Sequence, residues 1–258
     1  MNLNINDQYF LVTGASSGFG RTVATLLMED GANVIGVARG QEKLSELKYK
    51  YDSRFEYLLA DVTTEDAIDK IIDKIGVTEL SGAFINAGGP PAKSFLETKI
   101  YDWDEAYRKL LRWKVQLSKA LIPHFIEQKY GRILFLESSS VKQPIENLVL
   151  STSLRLSVVG LAKTLSEEFA DQGITVNVLA PGSHNTSALD RLIQKKADMN
   201  SISFETAKAE FESGTKVGFL GDPDDLASLA VWLLSPQSKF VTGQTISIAG
   251  GALRSVFG

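Results

Sequence analysis

The chain has 258 residues, 44% hydrophobic and 22% charged, a globular balance that excludes a disordered, collagen-like or coiled-coil protein. It contains no cysteine, which excludes disulfides and cysteine nucleophiles, and only two histidines, His124 and His184, too few for a multi-histidine metal cluster. A net charge of −4 without a basic stripe argues against nucleic acid as a partner. No apolar run reaches the roughly 18 residues of a membrane span, and the polar stretch Met1 to Gln8 does not read as a signal peptide, so a cytoplasmic protein away from membranes is expected.

In chain order, Tyr9 to Thr13 is a short apolar run ending in glycines and predicts a buried strand. Over 20–30, Val23, Leu26 and Leu27 have helical spacing, and Gly31 predicts the stop. Asn33 to Ala38 reads as the second strand, 41–50 as a polar helix with Leu44 and Leu47 inward, and Phe55 to Leu59 as the third strand. A helix over 64–75 should be capped by Thr63 or Thr64, with Glu65 and Asp66 in its first turn. Leu80 to Asn86 predicts strand four, 102–128 a long helix, Arg132 to Glu137 strand five, 151–170 a second long helix and Thr175 to Ala180 strand six. Residues 187–213 are polar and helical, 224–234 is a helix, and Thr245 to Ile248 is a last strand.

Strands that alternate with helices predict right-handed crossovers and a parallel sheet. The expectation is one doubly wound (Rossmann) α/β domain over 1–258, about seven strands with helices on both faces. The segment 187–220 has few large apolar residues and is the expected substrate lid.

The first strand runs into Thr13-Gly14-Ala15-Ser16-Ser17-Gly18-Phe19-Gly20 and then into a helix. Backbone without a Cβ can approach a pyrophosphate, and the following helix presents free N–H groups and its positive dipole end. With the glycines at 14, 18 and 20 after a threonine, this turn resembles the short-chain dehydrogenase/reductase family. Further motifs resemble the same family in order: Asp61-Val62 after strand three, Asn86-Ala87-Gly88 after strand four, Pro181-Gly182 with Thr186 after strand six, and Val241-Thr-Gly243-Gln244 to Gly250-Gly251 near the end. The resemblance implies that Asp61 meets the adenine and Thr186 the nicotinamide carboxamide. The end of strand two chooses the cofactor. An acid there suits the ribose hydroxyls of NAD, and an arginine suits the 2′-phosphate of NADP. Here Ala38 is followed by Arg39, so NADP(H) is expected over NAD(H), with Ser16, Ser17 and Phe19 in the binding turn.

The resemblance also implies a catalytic Ser, Tyr and Lys assisted by an Asn. The run Gly131 to Ser138 places that Ser at Ser138. Counting back from Lys163, in the Gly160-Leu-Ala-Lys163 segment, places Lys at Arg155 and Tyr at Ser151, and the Asn position falls on Leu110. All seven tyrosines, at 9, 49, 51, 57, 101, 107 and 130, precede residue 131, so no small shift of frame supplies one. A serine hydroxyl is a weaker acid than a phenol and shorter, and losing a general acid costs roughly 10²–10⁴ in rate. Arg155 can still donate to ribose hydroxyls but cannot relay a proton.

Lys142 and Glu146, in the loop after strand five, are either replacement acid/base groups or solvated loop charges. His184 is either a titrating group near the nicotinamide or an exposed loop histidine. Ser138 and Arg155 together suggest an anion or oxyanion pocket. His124 reads as structural and Glu137 as a strand-end charge. The Ser-Val-Lys loop resembles a ketoacyl-reductase-like subgroup that lacks the Tyr. The expectation is an atypical NADP(H)-dependent oxidoreductase acting on a small carbonyl or alcohol. The alternatives are a non-redox lyase or isomerase, or an inactive NADP(H)-sensing protein. The family's use of its two long helices implies a homodimer or homotetramer.

Overall fold

In the computed structural model, which describes residues 2–256, the strands are β1 (Tyr9–Thr13), β2 (Asn33–Ala38), β3 (Phe55–Leu59), β4 (Leu80–Ile85), β5 (Gly131–Leu136), β6 (Ile174–Pro181) and β7 (Thr245–Ile248). They form one parallel sheet in the order β3-β2-β1-β4-β5-β6-β7. The helices are α1 (Gly18–Glu29), α2 (Gln41–Tyr51), α3 (Ala67–Ile75), α4 (Ile100–Tyr107), α5 (Trp113–Gln128), α6 (Val149–Phe169), α7 (Ser187–Asn200), α8 (Phe204–Ser213) and α9 (Pro223–Leu234).

Side chains of a strand alternate between faces, so each strand feeds two cores. Phe10 and Val12 of β1 pack with Val23 and Leu27 of α1, Leu44 of α2 and Leu226 of α9. Leu11 joins Ile71 of α3, Leu117 of α5 and Val158 of α6 on the other face. Covering both faces explains why the inner strands β1, β2, β4, β5 and β6 are buried along nearly their whole length, whereas the edge strands β3 and β7 are not. No helix among the described residues is long and apolar enough to cross a membrane.

The sheet order reverses between β1 and β4. The chain leaves these adjacent strands toward opposite sides and opens a crevice at their C-terminal ends, the usual place for a ligand in such a fold.

Some local expectations change. Helix α3 begins at Ala67, and Asp66 at its N-cap makes no side-chain capping bond. Thr63 and Thr64 do not cap it, because Thr63 is engaged by Asp61 and the Thr64 hydroxyl bonds the Asp61 carbonyl and the Asp66 carboxylate. The long helix expected over 102–128 begins at Ile100 and is interrupted by a π-helical turn, Arg108–Arg112, between α4 and α5. The 187–220 segment, read as poor in large apolar residues, folds as α7 and α8 around a small core of Leu189, Ile193, Ala197, Ala207 and Leu220.

Candidate active site

The β1–β4 crevice is built mainly from backbone. Gly14 and Gly18 have positive φ angles of 68° and 51°, where an L side chain is strained. A Cβ at Gly20 would stand 2.3 Å from the Gly14 carbonyl oxygen, so only glycine lets α1 start this close to the turn. Thr13 Oγ1 donates to the Asn86 carbonyl at 2.7 Å and accepts from the Asn86 N–H at 2.8 Å, tying the ends of β1 and β4 together. Helix α1 has no side-chain cap, leaving its first N–H groups for a ligand. This combination of uncapped N–H groups and cleared backbone fits a dinucleotide pyrophosphate.

The remaining residues assigned to the crevice surround it. Thr186 caps α7, accepting from Leu189 N–H at 3.3 Å, and its methyl lies 3.8 Å from where a Gly18 Cβ would stand. Gly182 donates to the Ile248 carbonyl at 2.8 Å, which fixes the chain just after Pro181. Ala87 is half-buried, Gly88 is exposed, and a Cβ on Gly88 would meet no atom within 4 Å. Val62 is buried in the core instead of lining the surface. At the end of β2, Arg39 is 79% exposed and its Nη1 lies 3.4 Å from Asp61 Oδ2. Ser16 Oγ lies 3.5 Å from the position of a Gly40 Cβ, so the turn and the β2 end share one mouth. Burial raises the Asp61 carboxyl, but hydrogen bonds from Thr63 and the Arg39 charge outweigh it and hold that carboxyl below the usual range.

His184 is neither exposed nor free. It is buried, with its ring edge-on to Phe19 at 5.1 Å and Nδ1 3.1 Å from the Gly182 carbonyl. A Cβ at Gly221 would stand 2.7 Å from its Cδ2, so the ring is a packing element beneath the glycine turn.

The second part of the site lies at the ends of β5 and the start of α6. Ser138, half-buried, accepts from Ser140 N–H at 3.2 Å. Ser151 and Arg155 are buried one turn apart on α6, and Arg155 Nε donates to Ser151 Oγ at 3.0 Å. Arg155 Nη1 also donates to Glu137 Oε2 at 2.8 Å, and Lys114 of α5 donates to Glu137 Oε1. The side chains of Lys114, Glu137 and Arg155 are 1%, 0% and 10% exposed. Burial first, and the Arg155 charge after it, push the Lys114 ammonium below the usual lysine range against the pull of Glu137.

Glu137 is thus the hub of an ion cluster and not a strand-end charge, and Lys114 went unremarked in the sequence. A signal was there: Lys114 stands among Leu110, Leu117 and Leu121, on the inward stripe of its helix. A charge at such a position needs a buried partner. Leu110 itself is buried within the π-helical turn. Lys142 is half-buried and engaged, whereas Glu146 is exposed on the wall of a cavity of about 430 Å³ lined also by Ser94, Phe95, Asn147 and Thr152.

Comparison with known proteins agrees with this architecture. Residues 14–252 match the family model described as enoyl-(acyl carrier protein) reductase. The chain is 31% identical over 253 residues to dehydrogenase/reductase SDR family member 6 of Aquarana catesbeiana, spanning 96% of this chain and 98% of that one. It is 28% identical to the 3-oxoacyl-(acyl-carrier-protein) reductase of Vibrio harveyi, with the same shares. Among solved structures it is similar to L-sorbose reductase of Gluconobacter frateurii, complexed with NADPH and L-sorbose, at a TM-score of 0.93 and 23% identity, covering 99% of this chain and 100% of that one. A second neighbour, the NADPH-dependent reductase YwfH of bacilysin biosynthesis, gives a TM-score of 0.92 at 22% identity, covering 97% and 100%.

Proposed function

This chain belongs to the short-chain dehydrogenase/reductase family, and from that premise we propose that it binds NADP(H) in the β1–β4 crevice and acts as an oxidoreductase of atypical mechanism on a small carbonyl or alcohol. The observation that carries the reading is the Gly14–Gly20 turn, whose glycines at 14, 18 and 20 hold the backbone where a Cβ would be strained or would clash, braced by the Thr13–Asn86 pair. Arg39 supports the choice of NADP(H): the last residue of β2 is Ala38 where NAD binders carry an acid, and a guanidinium held only by an exposed 3.4 Å contact to Asp61 matches a phosphate dianion.

The nicotinamide, when bound, supplies or accepts the hydride. The chain's own residues do the rest. Ser138 offers a hydroxyl to the substrate oxygen, and Arg155 offers donors to the ribose. Ser151 is a poor substitute for the tyrosine, since a serine hydroxyl is a far weaker acid than a phenol and a shorter side chain. Water or Lys142 would therefore donate the proton to the carbonyl oxygen in reduction and take it from the alcohol in oxidation. In this reading the Tyr/Lys pair of the family is replaced, and 187–220 closes over the substrate as a lid. Exposed Leu96, Ile100 and Tyr101 around α4 support a homodimer or homotetramer, which light scattering checks.

Calorimetric titration with NADPH, NADP, NADH and NAD tests the cofactor, and a screen of ketones, aldehydes and acyl thioesters followed by NADPH absorbance tests the chemistry. Tight NADPH binding without turnover of any of these would abandon the oxidoreductase in favour of a sensing protein. Absence of NADPH binding would abandon both.

A further inference from the structure

We infer that the Lys114–Glu137–Arg155 cluster makes this site a receptor for a carboxylate on the substrate, which narrows the small carbonyl or alcohol proposed above to an anionic one and rests on that reading for the site's identity. Both carboxylate oxygens of Glu137 are already used, Oε1 by Lys114 and Oε2 by Arg155 Nη1. The cluster holds two formal positive charges against one negative, with side chains at most 10% exposed. A surplus charge in such a place is poorly tolerated unless something compensates it.

The geometry leaves one way for a compensating group to enter. Lys114 is sealed, and Glu137 is sealed. Only Arg155 reaches outward. Its Nε is taken by Ser151 and its Nη1 by Glu137, while Nη2 has no hydrogen-bond partner among the described residues. Nη2 lies 3.1 Å from where a Cβ on Gly89 would stand, and the neighbouring Gly88 faces open space. Any side chain at 89 would crowd this edge of the guanidinium. Glycine leaves it open toward the crevice, so that of the two Nη2 hydrogens one can meet the ribose and the other donate a charge-assisted hydrogen bond to a carboxylate.

Lys114 decides the sign of the pocket although no substrate atom reaches it. With Arg155 and Glu137 alone the charges would cancel, leaving donors suited to neutral hydroxyls. The second buried cation restores a net positive charge, and burial strengthens its effect on an incoming anion.

The experiment titrates the full chain, with and without NADPH, using pyruvate against methyl pyruvate and acetoacetate against methyl acetoacetate. Each pair shares its carbonyl and differs in charge. At least one acid should bind about tenfold or more tightly than its ester, and Arg155→Gln should abolish that preference. Lys114→Met should weaken the acid by roughly tenfold and leave the ester unchanged, an effect that a purely structural lysine would not produce. If Lys114→Met fails to fold, Arg155→Gln still decides, because it leaves Glu137 paired with Lys114. Equal affinity of acid and ester, no saturable binding of either acid, or a preference that survives Arg155→Gln overturns the inference. Failure of the cofactor reading shows separately, as absent NADPH binding, while the cofactor-free comparison of acid and ester stands.

Discussion

The glycine crevice and the ion cluster sit at the same end of the sheet, after β1 and β4 in one case and after β5 in the other, yet they are held by different forces. The crevice is a steric object: its shape follows from missing Cβ atoms and one threonine–asparagine pair. The cluster is an electrostatic object, three charges whose positions make sense only together. Steric sites tolerate changes in charge and fail on added volume. Electrostatic sites behave the other way.

The sharpest way to break this contrast is Glu137→Leu, which adds no strain to the fold but strands two buried cations. It should cost about 3–5 kcal/mol, read as a lowered urea midpoint. Gly20→Ala should cost less, about 1–3 kcal/mol, by driving a methyl into the Gly14 carbonyl, yet it should abolish measurable NADPH binding in calorimetry. A crevice that bound NADPH normally after Gly20→Ala would not be steric at all. Arg39→Ala should weaken NADPH roughly tenfold and leave NADH unchanged, with little effect on stability because the Arg39–Asp61 pair is exposed.

The smallest effect concerns pH. The folded-state proton affinity of Lys114 lies below its ordinary value of 10.5. Between that lowered value and 10.5 the unfolded chain binds more protons than the folded one, so stability rises with pH across the window, by less than about 1.4 kcal/mol per pH unit. Lys114→Met should flatten that slope in urea melts taken along a pH series. A slope unchanged by the substitution would mean that Lys114 is not the titrating group.

What the sequence disclosed follows the same division. The parallel sheet was legible because its inner strands are apolar runs bounded by glycine or polar residues and alternate with helices, and the glycine turn because its spacing is local. The cluster was not legible, since 114, 137 and 155 come from three elements and no spacing links them. Arg155 was legible as a motif position suited to the ribose or, with Ser138, to an anion pocket, but its tie to Glu137 was not. His184 was misjudged because a loop residue is ordinarily exposed, whereas Gly221 and Phe19 close over this one. The cap of α3 failed because the nearby carboxylate of Asp61 competes for Thr63.

The π-helical turn at Arg108–Arg112 sets the phase of everything after it. An α-helix advances about 100° per residue, and a π-type turn accommodates one residue more than an α-turn. Deleting one residue there would rotate α5 by about that angle, carrying Lys114 away from Glu137 and turning Leu117 and Leu121 off the core. The turn therefore works as an angular adjustment. It lets one helix satisfy an apolar layer along most of its length and still deliver a single cation to a point that regular winding would miss.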